Sequence, residues 1–199
     1  MAYNRKDFFF KEAKKQNFAA RSVFKLEEID QRFHLLKTGM KVLDLGAAPG
    51  SWSQYTSKKV GSAGRVLAID LQKVGLKLPN VVFICGDLRD QNLEALFTEK
   101  QIPPPFDLVL SDMAPKTTGI KFTDQARSLE LCELAFATAC RFLRPGGHFI
   151  VKLFHGGEFE NFRTELRKAF DKVEVLRPKS TRKESKEVFL IGLGYKGES

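Results

Sequence analysis

The strongest constraint on this chain is an alternation. After Gly39, short apolar runs closed by Gly, Asp or Pro alternate with longer stretches of helical periodicity. The runs Lys41–Leu45, Arg65–Asp70, Val81–Cys85, Asp107–Asp112 and His148–Phe154 read as strands. Ser51–Val60, Gln91–Thr98, Asp124 to about Phe142 and Glu158–Phe170 read as helices, the third opened by Asp124 and stopped by Pro145-Gly-Gly147. Lys172–Leu176 and Glu187–Tyr195 supply closing strands. Strands that are apolar on both sides and separated by helices predict a parallel, doubly wound α/β sheet covered on both faces. No repeat or low-complexity segment interrupts the pattern, and Pro103-Pro-Pro105 is too short a connector to divide domains. The 199 residues therefore read as one domain, 1–199, with residues 1–35 forming a basic, aromatic arm and a helix.

A formal charge of +9 favours a polyanionic partner, and nucleic acid is the commonest. The arm mixes Tyr3, Phe8, Phe9, Phe10 and Phe18 with Arg5, Lys6, Lys11, Lys14, Lys15 and Arg21. Such a mixture stacks on bases and pairs with phosphates, or forms a peripheral helix whose Phe residues cap the core. From Ser22, the expected N-cap, Val23, Leu26, Ile29 and Phe33 recur at helical spacing, with Lys25 at the edge of the apolar stripe. Cys85, Cys132 and Cys140 form no CxxC, and His34, His148 and His155 have no ligand spacing, so the thiols read as reduced and no metal is expected. No apolar run reaches membrane-spanning length and no signal-peptide core is present, which makes the cytoplasm the expected location.

Two groups of residues carry chemistry. Lys25, Asp112, Lys152 and Glu187 each stand where a charge is hard to explain structurally; Lys152 and Glu187 fall inside or at the start of apolar strands, where an ion is costly unless paired. Ordinary ion pairs at a sheet edge are the alternative account, weaker for Lys152 because strands buried on both faces rarely carry Lys. The second group is the turn Asp44-Leu-Gly-Ala-Ala-Pro-Gly-Ser-Trp52, placed between the first strand and its helix, where ligands bind in doubly wound sheets. Gly46 and Gly50, with Pro49 between them, let the backbone pass close to a ligand, and Asp70 and Asp87 close the next two strands. Asp70 is placed for ribose hydroxyls and Asp87 for an adenine amine. The dinucleotide fingerprint G-x-G-x-x-G is absent, so a cofactor with adenosine and no phosphate fits better, and S-adenosylmethionine is the expected one.

Asp44-Leu-Gly-Ala-Ala-Pro-Gly-Ser-Trp-Ser-Gln54, Ser111-Asp-Met-Ala-Pro115, Val151-Lys-Leu-Phe154 and Ser185-Lys-Glu-Val188 closely resemble the FtsJ/RrmJ family of ribose 2'-O-methyltransferases, in the family's order and across about Ala20 to Gly194. The resemblance implies a Rossmann-like methyltransferase fold, a seven-stranded, mostly parallel sheet whose last strand is antiparallel. It places the catalytic tetrad on Lys25, Asp112, Lys152 and Glu187, and cofactor contacts on Gly50, Trp52, Asp70, Asp87 and Asp112. Lys152 is expected as the base or as the group that stabilises the forming alkoxide, oriented by Asp112, with Lys25 and Glu187 completing the network. The implied reaction is S-adenosylmethionine-dependent methylation of a ribose in RNA, at a uridine of 23S rRNA within the large ribosomal subunit, by a monomer. Two alternatives stay open: a tRNA ribose methyltransferase, and a non-catalytic RNA-binding assembly factor. Lys116-Thr-Thr-Gly-Ile-Lys121 reads as a mobile loop over the site or a solvated connector, and Arg177, Lys179, Arg182, Lys183 and Lys186 as a phosphate grip or a solvated loop.

Overall fold

The computed structural model describes residues 5–89, 92–182 and 184–197; Tyr3 of the arm, Gln91 at the expected start of the short helix, and Lys183 of the basic cluster lie outside them. In chain order the elements are α1 (Arg5–Lys15), α2 (Val23–Phe33), β1 (Lys41–Leu45), α3 (Ser51–Val60), β2 (Arg65–Asp70), β3 (Val81–Cys85) and α4 (Leu93–Glu99). They continue with β4 (Phe106–Ser111), α5 (Lys121–Phe142), β5 (Leu143–Phe154), α6 (Phe159–Ala169), β6 (Phe170–Leu176) and β7 (Glu187–Tyr195). The strands form one seven-stranded sheet in the order β3-β2-β1-β4-β5-β7-β6. The β1, β2, β3, β4 and β5 pairings are parallel, and β7 runs antiparallel to both β5 and β6. The expected fold is the observed one.

Period-two alternation divides the strand residues between two cores. Val42, Val66, Leu108, Leu110, Ile150, Phe189 and Ile191 face α2 and α3, whereas Leu43, Leu67, Val109, Val151, Leu153 and Leu190 face α5 and α6. Asp44, Lys152 and Glu187 share the parity of Val42, Ile150 and Phe189. The α2/α3 side of the sheet therefore receives all three charges.

Several local expectations yield to tertiary contacts. Ser22 is helical in conformation and makes no capping bond; its hydroxyl instead meets that of Ser51 at 2.9 Å. Asp124 does not open α5, which starts at Lys121. It sits in the first turn and accepts bonds from the Thr118 N–H and hydroxyl and the Gly119 N–H, at 2.7, 2.8 and 3.1 Å. Pro145-Gly-Gly147 lies inside β5, since α5 has already ended at Phe142. The short helix starts at Leu93 with Asn92 as its cap, the Asn92 side chain accepting from Ala95 N–H at 3.4 Å. Phe9 tilts against Phe24 at 5.4 Å and Phe18 packs on the α2/α3 core, so part of the arm caps the core; Phe8 and Phe10 remain exposed.

Candidate active site

In this strand order the connection after β1 leads to β2 on one side while β4 flanks β1 on the other, so a crevice opens at the carboxyl end of β1. The Gly turn fills that point. Its glycines are required by the protein's own chain: φ is +75° at Gly46 and +108° at Gly50. A Cβ on Gly46 would come within 2.9 Å of Met113 Cα, and one on Gly50 within 2.5 Å of Leu76 Cδ1. The end of β4, with Asp112, is thus pressed against the turn. Pro49 follows Ala48, whose N–H donates to Asp70 Oδ2 at 2.9 Å, while Gln72 N–H donates to Asp70 Oδ1 at 2.7 Å. One carboxylate therefore clasps the turn to the loop after β2. Asp87 is farther out, accepting from Arg89 N–H at 2.9 Å, with the Arg89 guanidinium 3.8 Å away.

Trp52 is only 2 % exposed. Its indole N–H donates to the Ser22 carbonyl at 2.9 Å and its ring lies 5.7 Å from that of Phe189. The indole is an internal strut between α3 and the start of α2. The N–H groups of Ser51, Trp52 and Ser53 precede the first bond of α3, Gln54 N–H to Gly50 carbonyl at 2.9 Å, and belong to the unpaired first turn of the helix.

The four candidate charges meet as two pairs. Lys152 Nζ donates to Asp112 Oδ1 at 2.8 Å and to the Asp112 main-chain carbonyl at 2.6 Å. Lys25 Nζ lies 2.5 Å from Glu187 Oε1. Register explains the convergence: Lys152 is opposite Phe189 and Phe154 opposite Glu187, so Glu187 lies two residues along from Lys152's partner, on the same face. Lys25 reaches in from α2 over that face, its ammonium 5.9 Å from the centre of the Phe189 ring. Lys152 is 6 % exposed and Glu187 9 %. Ions this deep need partners, and each has one.

A further residue belongs with these. Asp44 is fully buried; Ser53 Oγ donates to its Oδ2 at 2.6 Å, while Oδ1 has no partner among the described residues. Burial pushes its carboxyl up to about 7, with Asp112 and Asp70 adding repulsion against the opposing Ser53 bond. A charge inside the run Lys41-Val-Leu-Asp-Leu45 is the same signal that marks Lys152.

The basic loop after β6 is pinned beside the site. Glu28 of α2 accepts the Lys179 N–H at 2.8 Å, and Arg21 donates to the Ser180 carbonyl at 2.7 Å. Arg177, Lys179, Arg182 and Lys186 are exposed there.

A crevice at the switch point, acids at or near the ends of β1, β2 and β3, and a Lys152–Asp112 pair on a seven-stranded sheet with a reversed strand are the architecture of the Rossmann-like methyltransferase class. The family model for FtsJ-like methyltransferases matches residues 18–195, and the chain belongs to that family. It is 62 % identical to the ribosomal RNA large subunit methyltransferase E of Bdellovibrio bacteriovorus, over 98 % of this chain and 100 % of the relative. The enzyme of the same name from Oleidesulfovibrio alaskensis is 52 % identical over 96 % of this chain and 93 % of its own. The crystal structure of a Plasmodium falciparum ribosomal RNA methyltransferase superposes with a TM-score of 0.79 at 29 % identity, covering 91 % of this chain and 100 % of the other. Among the described residues no helix is long and apolar enough to cross a membrane.

Proposed function

We propose that this protein transfers a methyl group from S-adenosylmethionine to the 2'-hydroxyl of a ribose in RNA, with a uridine of large-subunit (23S) ribosomal RNA as the acceptor. The observation that carries the chemistry is the Lys152 ammonium held by both the carboxylate and the carbonyl of Asp112, at 2.8 and 2.6 Å, where β4 meets the Gly turn. The names of the relatives supply the RNA. The reading takes residues 1–199 as one domain, acting as a monomer in the cytoplasm.

The residues around the turn fit the cofactor. The unpaired Oδ1 of Asp44 suits the amino-acid ammonium, and the free N–H groups at the start of α3 suit its carboxylate. Each Asp70 oxygen keeps a lone pair beyond its one backbone bond, enough for ribose hydroxyls. Asp87 at the third strand suits the adenine amine. Gly46, Pro49 and Gly50 shape the turn, and Trp52 contributes its main chain while its indole supports α3. Bound there, the sulfonium supplies an electrophilic methyl group.

The chain's own task is alignment, which can contribute most of the acceleration of an in-line displacement. An ammonium has three N–H donors. Asp112 takes two from Lys152, leaving one to hold the 2'-oxygen and to stabilise negative charge as it develops. Asp112 sets the direction of that donor and faces the methyl donor. Lys25 and Glu187, paired 2.5 Å apart on the same face, position the ribose. The hydroxyl proton passes to water as the oxygen bonds the methyl carbon and the carbon–sulfur bond of the sulfonium breaks to leave the neutral thioether, so the charge that grows on the oxygen is the one Lys152 faces.

The test is transfer of labelled methyl from S-adenosylmethionine to undermethylated large subunits and to bulk tRNA, with Lys152→Ala alongside. Label on rRNA that resists alkaline cleavage at one ribose and is lost in the variant supports the reading. Label on tRNA alone moves the substrate. Cofactor binding with no transfer to either RNA overturns it.

A further inference from the structure

Phe122 is 82 % exposed, more than any other large hydrophobic side chain among the described residues, and Ile120, two positions earlier, is 63 % exposed. Both sit where the chain passes from Asp112 into α5. Leaving a phenyl ring in water forgoes about 1.5–3 kcal/mol of burial.

The ring stands on a fixed base. The Asp124 carboxylate accepts three bonds, from the Thr118 N–H, the Thr118 hydroxyl and the Gly119 N–H, which tie the loop to the first turn of α5. Gln125 Nε2 donates to the His155 carbonyl at 2.8 Å, and Phe154 N–H donates to Ser128 Oγ at 3.1 Å. Both bonds anchor the head of α5 to the carboxyl end of β5, two and three residues beyond Lys152. Phe122 is therefore presented beside the end of the strand that delivers Lys152. Exposed Lys116 and Lys121 precede it in the chain and exposed Arg127 follows it in α5.

We propose that Phe122 is a stacking platform for an RNA base next to the methylated nucleotide, with Ile120 as its apolar shoulder and those cations on the phosphates. The inference rests on the RNA reading above. An exposed aromatic face with cations before and after it in the chain suits an unpaired strand, because every base has a π-face and stacking tolerates sequence. A ribose entering a crevice between loops must come from a nucleotide splayed out of its stack, and its neighbour then needs a new surface to stack on. Phe122 touches a base and none of the reacting atoms, so it is a positioning residue.

The experiment compares wild type with Phe122→Ala, Phe122→Leu and Phe122→Trp on undermethylated large subunits, measuring KM for the subunits, KM for S-adenosylmethionine and kcat separately. Thermal unfolding serves as a check on the fold. Loss of one stacked base corresponds to a rise in subunit KM of about tenfold. The expected result is that rise for both Ala and Leu, near-wild-type KM for Trp, and unchanged cofactor KM. Unchanged subunit KM in Phe122→Ala overturns the inference and leaves the RNA reading standing. Full rescue by Leu also overturns it, since an aliphatic side chain replaces a greasy contact with protein and does not replace a stack. If wild type labels neither subunits nor tRNA, the RNA reading fails first and this inference falls with it.

Discussion

Lys25 Nζ and Glu187 Oε1 lie 2.5 Å apart, joining a helix that precedes the sheet to the first residue of its reversed strand. Both side chains are nearly buried, at 13 % and 12 % exposure, so neither ion is solvated well enough to stand alone. Lys25→Met and Glu187→Gln should each lower stability by about 3–5 kcal/mol. The double variant should cost clearly less than their sum, as expected of contacting residues. Denaturant unfolding of the four proteins in the cycle measures this. Additivity would mean that the pair contributes nothing as a pair.

Lys152→Ala should lower kcat by about a hundredfold or more while leaving the affinity for S-adenosylhomocysteine within about twofold. Lys152→Arg should not restore activity, because a planar fork cannot keep both Asp112 bonds and also aim one donor at a third point. Single-turnover transfer and calorimetric titration separate the two effects.

Asp44 should make stability fall with rising pH. A solvated aspartate titrates at 3.8, whereas this carboxyl titrates at about 7 in the fold, so the native state holds a proton that the unfolded chain releases. The associated stability is complete below the lower value and is lost as pH rises through the upper one. Relative to Asp44→Asn, the wild-type melting temperature should drop by about 5 °C or more between pH 4 and pH 8. Parallel melting curves for the two proteins would contradict the assignment. If Asp44 also pairs with the cofactor ammonium, S-adenosylhomocysteine affinity should climb over the same interval in wild type and stay flat in the variant.

Trp52→Phe deletes one hydrogen bond and little volume, leaving the Ser22 carbonyl without its indole partner. A loss of about 0.5–1.5 kcal/mol is expected, because the carbonyl keeps its bond from the Lys25 N–H at 3.0 Å. Trp52→Ala adds a cavity between α3 and α2 and should cost about 3–5 kcal/mol. Both are read from chemical denaturation.

Of the three thiols, exposed Cys85 should react quickly with a disulfide reagent, whereas buried Cys132, its thiol pushed up to about 12 chiefly by burial, should react only on unfolding. Mass spectrometry after brief labelling distinguishes them.

The strand–helix alternation determines the architecture because it is a property of local pattern, and Lys152 and Glu187 stand out because a charge in an apolar strand has few innocent explanations. Asp44 carries that same signal, masked by its place at the lip of a turn; its lack of a partner at Oδ1 depends on how α3 closes over β1. Ser22 misleads for the opposite reason, and the Trp52 indole shows the same dependence. Each has a clear local or family role, yet what the side chain does is decided by a neighbour far along the chain: Ser51 for the Ser22 hydroxyl, the Ser22 carbonyl for the Trp52 indole. Asp124 keeps the chemistry of a helix-start acid and changes its clients, accepting N–H groups from the preceding loop.

The reversed direction of β7 governs traffic at the working edge. Had the chain crossed over to lay β7 parallel, the link from β6 would have run to the far side of the sheet. Because β7 returns as a hairpin, the link stays where β6 ends, and Arg177, Lys179, Arg182 and Lys186 lie beside the crevice before Glu187 begins its strand. These cations of the link are thereby stationed beside the crevice by topology alone.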